Sequence, residues 1–319
     1  MDKITFCIPS KNNLRYLKSS VTSIKHNSTL DNEIIVWVDQ DDDGTEKWLK
    51  ENNVKYLINP EKKPQGIAAG YNRCIEAASN SIVCTFHADM FMGKGFDVNL
   101  VKHLKPKTVV AGTRIEPPLH PKEEEKDQVT YGIFAPWACY KDEIIEMGMH
   151  DEKFHSYHED SDIFNRFILN GMELIQSRDA LVYHLTCRGG IFQDGVEQIT
   201  KDEKFHIMKN KAGKNYLKKW GSWIKNNEYH HPILSPVYNK QLIINNSNSN
   251  LESLKDWFNG GEDIIVEIDG NTFTQQDFVI IQQLNDIIKD SGSIGEFELG
   301  NVRVKINSLK EYQNTLIKI

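Results

Sequence analysis

An α/β fold built on a mostly parallel sheet flanked by helices is what this chain predicts, on three observations. Short β-rich apolar runs alternate with amphipathic helices through its first half. One of those runs, EIIVWV at residues 33–38, is apolar almost throughout, as a strand covered on both faces should be. The residues able to do chemistry follow predicted strands or open predicted helices, the edge at which parallel sheets bind ligands. A small C-terminal α/β module is expected beyond them.

The first strand, residues 4–8, is expected to stop at Pro9. Leu14, Leu17, Val21 and Ile24 then recur at helical spacing and mark one apolar face. Further strands are expected at 33–38, 54–58, 81–86 and 108–112, with a helix over 66–78. Residues 113–132 carry Pro117, Pro118, Pro121 and the charged run 122–127, and read as a long polar loop. A helix is expected near 141–147. In HEDSDIFNRFILNGME, residues Ile163, Phe164, Phe167 and Ile168 form a second helical face that Gly171 ends. A short strand at 181–183 leads to His184. Residues 1–230 would form the main domain, and 231–250, with HHPILSP and NNSNSN, a linker. Residues 251–319 would form the module, with a strand at 264–268, a helix at 275–289 and two short strands around Gly300.

Composition narrows the class. The chain has 319 residues, 39% hydrophobic and 26% charged, which suits one substantial soluble domain with a smaller companion. It has no apolar run near the roughly 20 residues that span a bilayer, and its first residues lack the pattern of a secretory signal. Cys7, Cys74, Cys84, Cys139 and Cys187 show no CxxC pairing and read as reduced. A cytoplasmic location is therefore expected, with peripheral membrane contact left open. The net charge of −7 argues against a general nucleic-acid binder. Residues 251–319 hold twelve acidic and six basic side chains while the rest is nearly balanced, a contrast that hints at two units.

Four constellations carry the candidate chemistry. Pro9 and Ser10 end the first strand, and the acidic run Asp39–Asp43 follows the second; a carboxylate there can read a base or ribose. That run also matches the start of a calcium loop, but Lys50 stands where the closing Glu is required and a strand precedes it. A solvated acidic turn that starts a helix remains open for residues 41–43. The second constellation is GIAAGYNR at 66–73, whose small residues allow close approach and whose Arg73 could reach a phosphate. Helix packing explains the same residues. The third is FHADM at 86–90, where Asp89 could bind a divalent cation or cap a helix beginning near Lys94. The fourth is Glu159, Asp160 and Asp162 at a helix start, with His184 later. The helix dipole favours ionised carboxylates there, as a general base requires, while plain capping and a core histidine are the structural alternatives.

In this order the segments resemble glycosyltransferase family 2 and its GT-A-fold relatives, over roughly residues 3–221. The family's strand ending in Pro-Ser/Thr, its EIIVVDDGSxDGT and its GxxxAxN correspond to Pro9-Ser10, EIIVWVDQDDDGT and Gly66 to Asn72, with Gly70 where Ala is usual. FHADM stands for LDxDD, HEDSDIFNRFILNG for the acidic acceptor motif, Tyr183-His184 for a strand ending in YH, and Tyr216 to Gly221 for a closing KWG element. The resemblance implies a Rossmann-like GT-A domain that moves a sugar from a nucleoside-diphosphate donor, a UDP-sugar, to an acceptor glycan or other hydroxyl compound. It implies that Asp39 reads the base, that Pro9 and Ser10 line the nucleotide, and that Asn72, Arg73 and His87 contact the donor. It implies Asp89 and His184 as ligands of Mn2+ or Mg2+, Asp160 as the base and Glu159 as a sugar contact. His87 and Met90 replace family carboxylates. Lys209, Lys211, Lys214, Lys218 and Lys219 could grip a diphosphate, or form a solvated helix face. A nucleotidyltransferase would need glycines after the first strand, where the chain reads SKNNLRY. A non-catalytic nucleotide-sugar binder and a retaining transferase remain the other readings.

Overall fold

The computed structural model describes residues 2–116, 128–130, 136–185 and 211–216, with the backbone of five further short strands. The chain divides into two units, residues 1–212 with 228–231, and 213–227 with 232–319.

The first unit is a nine-stranded sheet with helices on both faces. Its elements are β1 (Ile4–Lys11), α1 (Leu14–Asn27), β2 (Glu33–Gln40), α2 (Thr45–Glu51), β3 (Lys55–Ile58), α3 (Ile67–Ala77), β4 (Ile82–Thr85) and β5 (Met90–Met92). They continue with α4 (Phe96–Val101), β6 (Thr108–Glu116), β7 (Gln128–Thr130), β8 (Trp137–Tyr140), α5 (Lys141–Glu146), α6 (Glu159–Leu169) and β9 (Glu173–His184). The strand order is β3-β2-β1-β4-β8-β6-β9-β5, with β7 beside β6. The first four strands are mutually parallel. β8 runs against both β4 and β6, so β6 and its parallel partner β9 point the same way as β1 to β4. The C-terminal ends of β1, β2, β4, β6 and β9 therefore share one edge.

Alternation along the buried strands feeds two cores. Phe6, Ile8, Val36 and Phe86 pack with Leu17, Val21 and Ile24 of α1 on one face. Cys7, Ile35 and Trp37 pack on the other with Tyr71 of α3, Trp137 of β8, and Ile163, Phe164 and Phe167 of α6. A strand buried on both sides has no polar alternate positions, which is why residues 33–38 read as continuous apolar sequence.

Several boundaries differ from expectation, each for a local reason. β1 runs through Pro9 instead of stopping there. Its pairing with β4 ends at Cys7, whose carbonyl accepts from Phe86 N at 2.9 Å, so only β2 lies beside Pro9 and the missing N–H leaves no strand unpaired. β6 continues to Glu116 and pairs with β7, so the expected loop begins later; residues 117–127 lie outside the described residues. After Asp89 the chain forms β5, antiparallel to β9, so Asp89 does not cap a helix at Lys94. The strand expected at 181–183 is the end of twelve-residue β9. β8 has only four residues between Pro136 and α5 and gave no periodic signal.

The acidic run is a structural turn. Asp41 accepts from the N–H groups of Thr45 (2.7 Å) and Glu46 (3.0 Å) at the start of α2. Asp43 accepts from Leu14 N (2.7 Å) at the start of α1, and Asp42 from Asn12 Nδ2 (2.8 Å). Carboxylates at helix starts are stabilised by the free N–H groups there, which accounts for the run without calcium.

In the second unit, β10 (Lys225–Asn226) pairs with β11 (Pro232–Ile233), and β12 (Lys240–Ile244) lies between β13 (Ile265–Ile268) and β14 (Val302–Ile306). β12 falls within the stretch read as a linker. The expected helix at 275–289 lies outside the described residues. Among the described residues, no helix is long and apolar enough to cross a membrane.

Gly70 in α3 shows how tightly this helix meets the sheet. A Cβ there would stand 2.7 Å from Trp37 Cδ1 and 2.9 Å from Pro9 Cβ. Gly→Ala in an open helix gains about 1 kcal/mol, whereas overpacking a core costs about 1–3 kcal/mol. Gly70→Ala is therefore expected to destabilise by about 1–2 kcal/mol in chemical denaturation, and to lose most of that cost in a Trp37→Val background. A stabilised single variant would overturn this packing account.

Candidate active site

The segment after β4 runs off the C-terminal edge of the sheet as Phe86–Asp89 and returns as β5. His184 is the last residue of β9 and lies opposite Met90. Three ligand atoms meet here. His87 Nδ1 is 3.4 Å from His184 Nε2, His184 Nε2 is 3.6 Å from Asp89 Oδ1, and His87 Nδ1 is 4.0 Å from Asp89 Oδ1. A triangle with those edges has a centre about 2.1 Å from each corner, the bond length of nitrogen and oxygen donors to a divalent transition metal. His87, Asp89 and His184 thus form a group able to hold a divalent metal. Burial and the neighbouring His184 and Arg114 push His87 well below its ordinary range, so its ring is neutral, the form that ligates.

Two residues behind this group were missed by sequence reasoning, which ended the strand too early. Glu116 Oε1 lies 2.7 Å from His184 Nδ1, and Arg114 Nε lies 3.5 Å from the same oxygen. Both come from the end of β6. The available signal was the run TRIE, where Arg114 and Glu116 flank Ile115 at strand period.

Glu159 and Asp160 open α6 and are buried. The two residues before them, Tyr157 (φ 69) and His158 (φ 65), hold the left-handed backbone that non-glycine residues avoid. The expectation that the helix start would keep both carboxylates ionised is corrected here. Burial pushes Glu159 up; burial first, and then Glu159, push Asp160 well up, with Arg114 opposing. A helix terminus contributes about 0.3–1 kcal/mol, against several kcal/mol for taking a carboxylate out of water. Desolvation wins.

Arg114 connects the two halves of the site. It bonds Glu116 behind His184, and its charge acts on Asp160. Tyr71 makes a second connection. Its ring stacks between His87 (6.5 Å) and His150 (5.1 Å), and the charges of Asp160 and Glu159 add to burial in raising its hydroxyl. Arg114 and Tyr71 thus each interact both with Asp160 and with the surroundings of the His87, Asp89 and His184 group.

The residues expected around the nucleotide divide into two groups. Ser10 is buried at the end of β1, and its hydroxyl has no partner among the described residues. Beside it, Pro9 packs against Gly70. Asp39 Oδ1 accepts from Gln65 N (2.8 Å) and Asn59 Nδ2 (2.9 Å), and Oδ2 accepts from Gly66 N (2.9 Å), so Asp39 shapes the loop leading into α3. Asn72 and Arg73 turn elsewhere. Asn72 exchanges hydrogen bonds with the His150 backbone, both at 2.9 Å, and Arg73 pairs with Glu152 at 3.0 Å. These contacts anchor α3 to residues 150–152. Lys211 and Lys214 are exposed on the helical residues 211–216, while Lys209, Lys218, Lys219 and the KWG element lie outside the described residues.

The sequence model of glycosyl transferase family 2 matches residues 5–171, just over half of the chain. Among solved structures, S. aureus TarS is 14% identical over 58% of this chain and 37% of its own, with a TM-score of 0.48. TarS 1–349 in complex with UDP is 15% identical over 58% and 61%, with a TM-score of 0.47. The mannosyltransferase PcManGT from Pyrobaculum calidifontis, in complex with GDP-Man and Mn2+, is 17% identical over 57% and 56%, with a TM-score of 0.46. The matched part of each is thus between about two fifths and three fifths of its length. No curated protein matches the chain. The family match spans β1 to the end of α6 and takes in His87, Asp89, Glu159 and Asp160, and on it this chain belongs to glycosyl transferase family 2.

Proposed function

We propose that the chain transfers a sugar from a nucleoside-diphosphate donor, a UDP-sugar, to an acceptor hydroxyl with inversion, and that Asp160 is the general base. The observation that carries this reading is the junction of two groups at one sheet edge: a metal-fitting His87, Asp89 and His184, and buried Glu159 and Asp160, connected by Arg114 and Tyr71. The UDP donor rests on the family resemblance.

In this reading Ser10, Pro9 and the loop held by Asp39 line the nucleoside. Asp160 takes the proton of the acceptor hydroxyl, whose oxygen bonds to the anomeric carbon as the bond to the diphosphate oxygen breaks. The nucleoside diphosphate leaves on the opposite face. A divalent cation, when bound, supplies Lewis-acid neutralisation of the leaving diphosphate, worth several kcal/mol. Imidazole beside carboxylate favours Mn2+ over Mg2+. Arg114 offsets the burial of Asp160 and helps its carboxylate form, while Glu159 contacts acceptor or sugar. Among the described residues, Cys7, Cys74, Cys84 and Cys139 are buried free thiols, which agrees with a cytoplasmic, reducing location.

Asp160→Asn keeps the side-chain shape and removes the base. Turnover is expected to fall about 10²–10⁴-fold, with donor binding retained; turnover within tenfold of wild type would exclude Asp160 as the base. NMR of the product's anomeric proton reads inversion directly.

The pH dependence has a defined sign. The base acts ionised and its pKa is raised, so the rate climbs with pH along a limb above the ordinary carboxylate range. Glu159→Gln removes the like charge and is expected to shift that limb toward acid. The same pair makes stability fall as pH rises, because the unfolded chain ionises both groups near pH ~4 while the fold keeps them protonated longer. Melting temperatures from acid to neutral pH should therefore decline less steeply in Glu159→Gln. An unchanged slope would mean the pair is not buried as described.

A further inference from the structure

We propose that His87 is a third protein ligand, completing a two-histidine, one-carboxylate centre that takes up a transition-metal ion before any nucleotide binds. This rests on the reading of Asp89 and His184 as cation ligands, and it determines which ion that site prefers and when it loads.

The first support is geometric. The three ligand atoms surround one point at metal-bond distance, and His87 supplies two of the three edges. The second is the direction of the lone pairs. Glu116 lies 2.7 Å from His184 Nδ1, so the tautomer that donates from Nδ1 to Glu116 turns the Nε2 lone pair toward Asp89 Oδ1 and His87 Nδ1. His87 can either donate from Nδ1 to His184 Nε2 or, in its other tautomer, turn a third electron pair toward the same point, the arrangement a cation would select. The third support is donor chemistry. Mg2+ prefers oxygen shells rich in water, whereas two imidazoles with one carboxylate suit Mn2+, Co2+ or Zn2+. Glu116, held by Arg114, is the positioning residue that fixes the His184 ring.

A proton is the competing charge. His184 as an imidazolium could bridge Asp89 and Glu116 with no ion bound. The two cases separate in the full chain without nucleotide. Titration with Co2+, followed by its visible absorption, and with Mn2+, followed by calorimetry, is expected to show one site per chain that about tenfold excess Mg2+ does not empty. Glu116→Gln should weaken binding about 10–100-fold at unchanged stoichiometry. His87→Ala should weaken it by about tenfold or more and change the Co2+ spectrum as a nitrogen ligand is lost. Circular dichroism confirms that each variant folds. The proposal is overturned if the nucleotide-free chain binds neither ion, if Mg2+ displaces them, or if His87→Ala binds as wild type does. Donor hydrolysis with Mn2+ is followed in parallel. Hydrolysis without nucleotide-free binding would reject this inference and leave the transferase reading standing; loss of both would remove the metal site altogether.

Discussion

The site depends on the parallel pairing of β6 with β9 and on one irregularity within it. Gln176 lies opposite Ala111, but Leu181 lies opposite Thr113, so the register shifts by an odd number of residues between these points. An odd shift exchanges the faces of a strand. Beyond it, Val182 lies opposite Arg114 and Tyr183 opposite Ile115, which brings His184 to Glu116 on the side where Asp89 arrives from β4. Thr113 Oγ1 donates to the Ser177 carbonyl (2.8 Å) and Ser177 Oγ to the Asn99 carbonyl (2.9 Å), so side chains hold the excursion in place. Regular pairing throughout would have turned His184 to the opposite face.

The price of this arrangement is electrostatic. Asp89, Glu159 and Asp160 are buried, Glu116 is largely so, and Arg114 is the cation placed between the two pairs. Buried carboxylates that outnumber their partners disfavour the folded chain unless they bind protons or cations. Each response suits the proposed chemistry. Burial raises Glu159 and Asp160, so the proposed base gains its charge more readily as pH rises or as positive charge arrives nearby. Around His184 a metal is the natural counter-charge, and a metal is also what a leaving diphosphate needs.

How much of this was legible in the sequence follows from which signals are local. The apolar runs at 33–38 and 81–86 and the helical face of Ile163, Phe164 and Phe167 are set by burial within single elements, so composition and period revealed them. Asp89, His184 and Asp160 stood out because the family pattern marks their positions, although only folding brings them together. Glu116 and Arg114 were hidden because β6 extends into a proline-rich stretch and its partner β7 comes from within the same stretch, residues 113–132, that reads as a loop. The partners of Asn72 and Arg73 were hidden for a different reason. A small-residue helix start resembles a phosphate site, but here both side chains meet His150 and Glu152, nearly eighty residues away, and no local rule anticipates that.

The departures from the family pattern follow the same logic of contact. Gly70 stands where alanine is usual because Trp37, on the adjacent strand, occupies the space a methyl group would need. Met90 replaces a carboxylate at a position that β5 turns into the core, where a charge would have neither water nor partner. His87 replaces a carboxylate within hydrogen-bonding reach of His184 and beside Tyr71. A carboxylate there would add negative charge beside Asp89 and close to Glu116. A neutral imidazole offers an electron pair and no charge. The substitution that most weakens the family motif as a pattern is thus the one that best suits the crowded, buried acids of this site.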